Sequence, residues 1–94
     1  MTPKLQPFDM TDHLDSDEAV AEYLSQVLAD GDTDELLRAL GHVAKARGIA
    51  EIAEASGLGR ESLYKALRPG AKPRFDTLAR VCLAVGVKLV AVPA

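Results

Sequence analysis

Apolar residues recur every three or four positions along most of this chain, with polar residues between them, which is the periodicity of amphipathic helices. From Ser16 to about Asp30 the apolar stripe is Val20, Leu24, Val27 and Leu28, with Tyr23 beside it. Asp15 or Ser16 can cap this helix, Asp17 and Glu18 suit its positive end, and Gly31 ends it. From Thr33 to about Arg47 the stripe is Leu36, Leu40, Val43 and Ala44, opened by Asp32 with Glu35 in a capping-box arrangement and closed by Gly48. A helix from about Phe75 to Val85 is expected to bury Phe75, Leu78, Cys82 and Val85. After Gly86 the pattern changes: Val87 to Val92 is rich in β-branched residues and too short to continue as a helix, which predicts a strand over 87–92. A lone strand cannot satisfy its own backbone, so the expected partner is the segment near Leu5 to Phe8 or the same tail of a second subunit.

Between these helices, residues 49–68 read IAEIAEASGLGRESLYKALR, the layout of a helix-turn-helix. Ala53 is small enough for a second helix to cross closely, Gly57 can take the left-handed backbone between the two, and Leu58 seals the corner. Ile52, Leu63 and Leu67 fall on the inner face. Gly59 occupies the cap position of the second helix, where Ser, Thr or Asn would hold free amides better. The remaining positions of that helix, Arg60, Glu61, Ser62, Tyr64, Lys65 and Arg68, point outward and suit a DNA major groove. Arg60 can fork onto a guanine edge, Glu61 can accept from a cytosine amine or orient Arg60, and Ser62 can add a hydroxyl at the groove edge. Lys72 and Arg74, in the Pro- and Gly-containing loop that follows, are placed for phosphate. The expected fold is an all-α, five-helix domain spanning 1–94, with an irregular N-terminal segment over 1–15, the helix-turn-helix and a short C-terminal β-strand.

Charge is divided unevenly along the chain. Met1 to Val43 holds two basic and ten acidic residues, net −8, whereas Ala44 to Ala94 holds nine basic and four acidic, net +5. The basic half can therefore engage DNA although the whole chain carries −3. The acidic half points to a second partner of opposite charge, and helix capping accounts for part of its acidity. With 94 residues, no 18-residue apolar run and no basic leader, the expectation is a soluble cytoplasmic protein whose small core gains from a second copy, hence a homodimer.

Catalytic and metal sites lack the residues to carry them. Asp30, Asp32 and Asp34 alternate like the start of a calcium loop, but Glu35 stands where its glycine belongs and Gly41 where its final glutamate belongs. His13, His42 and Cys82 have no ligand spacing, and Ser62 has no G-x-S-x-G setting. No enzyme activity, metal or cofactor is expected, and Cys82 is expected to be a buried core thiol.

Read together, the phrases FDMTDHLDSDEAVAEYL, DGDTDELLRALGHVAKARG, SGLGRESLYKAL and KPRFDTLARVCLAVGVKL, spanning Phe8 to Leu89, resemble a family of small HigA-like antidote proteins of bacterial addiction modules. The resemblance implies an antitoxin that neutralises a cognate toxin of the RelE/ParE-like class and represses their shared operon. It carries DNA contacts over to Arg60, Glu61, Tyr64 and Lys65; Gly59 departs from the capping residue usual in such proteins. A toxin that cleaves RNA presents basic groups, and Asp9, Asp12, Asp15, Asp17, Glu18 and Glu22 supply a complementary acidic surface. The alternative expectation is a stand-alone or phage-type transcriptional repressor without a toxin partner.

Overall fold

The computed structural model of the chain describes residues 14–94. Among them are five helices: α1 (Asp17–Asp30), α2 (Thr33–Arg47), α3 (Ile49–Ser56), α4 (Arg60–Ala66) and α5 (Phe75–Val85). Local signals set their ends. Ser16, in extended conformation, accepts a bond from the Ala19 amide at 3.1 Å and starts α1; Asp32 does the same for α2 through the Glu35 amide at 3.3 Å. Gly31 and Gly48 end these two helices, and α3 begins directly after Gly48.

The core centres on α2, against which α1, α3 and α5 all pack. Leu37, Leu40 and Val43 of α2 are fully buried together with Val20 of α1, Leu63 of α4, and Val81 and Val85 of α5. With neighbours on several sides, α2 buries an arc wider than one stripe, which is why Leu37 and Ala39 lie inside while Leu36 is only partly covered. The expectation for α5 needs a larger correction. Phe75, expected in the core, is 72% exposed at the first position of α5, and Val81, not on the expected stripe, is fully buried. Leu28, expected on the α1 stripe, is also exposed.

No strand forms at 87–92, nor anywhere else among the described residues. The chain uses Val87 differently. Its amide donates to Cys82 O at 2.9 Å while the Gly86 amide donates to Leu83 O at 3.1 Å, the two bonds of a Schellman ending with Gly86 left-handed. Val87 is buried as the apolar anchor of that ending, and Lys88 to Ala94 continue exposed. The first expected strand partner, Leu5 to Phe8, lies outside the described residues.

Arg47, at the end of α2, ties three parts of the chain together. Its Nη1 donates to Asp17 Oδ1 at 2.6 Å and to Val85 O at 3.3 Å, and its Nε donates to Leu14 O at 3.5 Å. The start of α1 and the end of α5 are thereby pinned to one guanidinium, whose fork of donors suits several acceptors.

The turn between α3 and α4 is built on Ser56, the one buried polar side chain among the described residues. Its hydroxyl donates to Ala53 O at 3.1 Å and accepts from the Leu58 amide at 3.4 Å, while the Gly59 amide reaches Ala53 O at 3.3 Å. Gly57 takes the left-handed conformation expected of it (φ 76°). Gly59 takes φ 81° and ψ 163°, a region open essentially to glycine alone. The sequence expectation that serine would improve this cap is therefore reversed. Gly59→Ser is expected to lower unfolding free energy by about 1–3 kcal/mol in urea titrations; an unchanged or raised stability would contradict the backbone conformation at this position.

Candidate nucleic-acid interface

Two inward leucines orient α4. Leu63 is fully buried and Leu67, just past the helix end, nearly so, which turns the rest of the seven-residue helix outward. Arg60, Glu61, Ser62, Tyr64, Lys65 and Arg68 are all exposed, as is Gly59 before them. Every residue of the expected outward set is thus exposed. Lys72 and Arg74 are exposed in the following loop, where Arg74 Nε pairs with Asp76 Oδ1 at 3.5 Å. That loop is tethered from a distance, because the Gly70 amide donates to Asp34 Oδ1 at the start of α2 at 2.9 Å. In the sequence Asp34 suits a helix start; nothing there reveals that it positions the basic loop.

Relief as well as charge distinguishes α4. On one side lies an open groove of about 590 Å³ between α2 and α4, edged by Tyr64, Lys65 and Arg68 of one wall and by Arg38, His42 and Lys45 of the other. On the other side a hollow of about 340 Å³ separates Ser62 and Lys65 from Lys72. The helix therefore stands as a ridge between two depressions, and Lys65 borders both. Among the described residues the ion pairs are Arg47 with Asp17 and Arg74 with Asp76, so Arg60, Lys65, Arg68 and Lys72 keep their charge for solvent or a partner. Sequence reasoning missed the α2 wall, although Arg38, His42 and Lys45 share one helical face by their i, i+4, i+7 spacing.

The acidic set is separate from this ridge. Asp15, Glu18 and Glu22 are exposed on and just before α1, which packs on α2. Asp17 is held by Arg47 while its own side chain stays 63% exposed. Asp9 and Asp12 lie outside the described residues.

No group of three or more His, Cys, Asp or Glu among the described residues is placed to hold a metal ion. Among the same residues no helix is long and apolar enough to cross a membrane. Burial pushes the phenol of Tyr23 up, with Glu35 adding to the effect, and burial alone pushes the Cys82 thiol up. A thiol kept protonated and covered is a poor nucleophile. Cys82 is therefore expected to react slowly with a thiol-specific reagent in the folded protein and promptly in denaturant; equal rates would contradict its place in the core.

Residues 4–93 match the model of a protein family described as probable addiction module antidote protein. A Haemophilus influenzae protein described as uncharacterized is 39% identical over 88 residues, covering 94% of this chain and 91% of that protein. No solved structure matches the chain at a significant level.

Proposed function

Because the chain belongs to the family of probable addiction module antidote proteins, we propose that it is a DNA-binding antitoxin, which neutralises a RelE/ParE-like toxin by direct binding and represses its own operon. Family membership supports the antitoxin role and a toxin partner in general. The observation that carries the DNA half is the ridge of α4: four long polar side chains on the helix, Arg60, Glu61, Tyr64 and Lys65, with Arg68 just past its end, all exposed above the inward Leu63 and Leu67.

In this reading α3 and α4 are the two helices of a helix-turn-helix, and α4 enters the major groove. Arg60 and Glu61, in the first turn, approach base edges; Tyr64, Lys65 and Arg68 reach bases or phosphates farther along. Gly59 and Ser62 lie at the lip of the groove, where backbone and hydroxyl contacts are short. Lys72 and Arg74 meet phosphate across the hollow beside α4. The protein acts as a homodimer on a two-fold operator in the cytoplasm, and exposed apolar side chains such as Phe75, Leu83 and Val90 give a protein partner surface to cover.

Toxin binding uses the opposite sign of charge. Asp15, Glu18 and Glu22, with Asp17 beside them and Asp9 and Asp12 before them, offer acidity to the basic surface of an RNA-cleaving toxin. Since α1 contributes Val20, Leu24 and Val27 to the core, the informative change is charge reversal rather than deletion.

Expression of the small reading frame beside this gene is expected to arrest growth of a bacterial host, and co-expression of the chain to relieve the arrest as the two co-purify. Glu18→Lys/Glu22→Lys should stay folded and lose much of that relief. No arrest and no complex would refute the antitoxin reading and leave a stand-alone repressor; full relief by the charge-reversed variant would move the toxin site off α1. For DNA, Arg60→Ala is expected to cost about 1–3 kcal/mol and to relax preference at one base position. Lys72→Ala/Arg74→Ala should weaken all sequences alike and flatten the dependence on salt. Equal losses of sequence preference in both variants would contradict the division between base and phosphate contacts.

A further inference from the structure

The groove between α2 and α4 has two walls, and α4 supplies only one of them. Arg38, His42 and Lys45 form the other, all exposed and all on one face of α2. Facing them across the groove are Lys65 and Arg68, with Glu61 as the single acidic side chain of the lining. Four permanent cations thus surround one opening, and none of them makes an ion pair among the described residues. Arg38 is one of two basic residues before Ala44, in a stretch that otherwise holds ten acids, and it stands on this wall.

Gly41 adds an independent observation. It lies in the middle of α2 and lines the same groove, and it is the one glycine of the chain without a positive φ. A Cβ placed on it would meet nothing within 4 Å. Neither packing nor backbone conformation therefore requires glycine there, although glycine weakens a helix interior relative to alanine. What the missing side chain leaves is open space beside Ile49, in which something outside the chain can lie close to the α2 backbone.

We propose that this groove seats one strand of the DNA backbone, with phosphates bound by Arg38, His42 and Lys45 from the α2 side and by Lys65 and Arg68 from the α4 side, and with a deoxyribose in the open space at Gly41. The proposal rests on the reading of α4 as the helix that enters the major groove, since a ridge in that position brings a phosphate strand along each flank. Open space beside the apolar Ile49 within a cationic rim matches the sugar and phosphate of a nucleic-acid backbone in turn. Lys72 and Arg74 then serve the strand on the other flank, so α4 is straddled by two basic tracks.

The test uses the full chain and two variants, Gly41→Ala and Arg38→Ala/Lys45→Ala, titrated by fluorescence anisotropy over a range of salt. The probes are the DNA upstream of the gene and an unrelated duplex of equal length. The double variant is expected to lose affinity for both duplexes by a similar factor, and its log–log salt slope should fall by about 2, one for each phosphate contact removed. Gly41→Ala should melt about 2–8 °C higher than the parent, as helix propensity requires, and yet bind both duplexes more weakly. Parental binding to the upstream DNA combined with an unaltered salt slope in the double variant would overturn the proposal and leave the reading of α4 standing. Binding of Gly41→Ala as tight as that of the parent would overturn it too. So would a double variant that keeps its DNA affinity and fails instead to hold the toxin, which would make the groove a site for an acidic protein segment. No binding of the parent to its upstream DNA would sink both.

Discussion

A seven-residue helix cannot stand by itself in water, and α4 has no side chain capping its start. Its position is imposed from outside, by Leu63 and Leu67 inserted into the core and by the hydrogen-bonded corner of Ala53, Ser56, Leu58 and Gly59. Everything attributed to the exposed face of α4 depends on that constraint. Side chains that read a surface must be carried by a backbone that does not move, and burial of the inner edge supplies the rigidity that propensity cannot.

A second tie makes the two oppositely charged halves one body. Arg47 belongs to the basic half, and its guanidinium holds Asp17 and Leu14 of the acidic half together with Val85 near the C-terminal end. The acidic exposed face of α1 and the basic ridge of α4 are therefore held by different neighbours, α1 by α2 and α4 by α3, and each remains available to a partner of its own. An antitoxin needs such an arrangement if toxin and DNA are to be bound by opposite fields without one surface neutralising the other.

Much of the fold is legible in the sequence because it rests on local rules. The helix starts at Ser16 and Asp32, the left-handed Gly57, the inward Ile52, Leu63 and Leu67, and the outward side chains of α4 follow from capping, turn chemistry and a period of 3.6. The failures have a common physical cause, which is that periodicity gives a face but not the length over which that face is covered. Phe75 shares a stripe with Leu78 and Cys82 yet protrudes beyond it, and Val87 looks like the first residue of a strand yet closes a helix. Ser56, Asp34 and Arg47 are illegible for another reason: their partners are set by a corner or by distant segments, and only the assembled chain brings those together. Gly59 lies between the two cases. Its place at the helix start is readable, but the conformation that requires glycine is not.

Recognition of DNA by the outward face of α4 is the central claim, and a hydroxyl-radical footprint of the purified chain on the DNA upstream of its own gene tests it most directly. Two protected patches on one side of the duplex, about 34 Å apart, are expected, as a two-fold dimer with α4 in successive major grooves would leave. Uniform weak protection without patches, or none at protein concentrations that saturate binding, would contradict the claim.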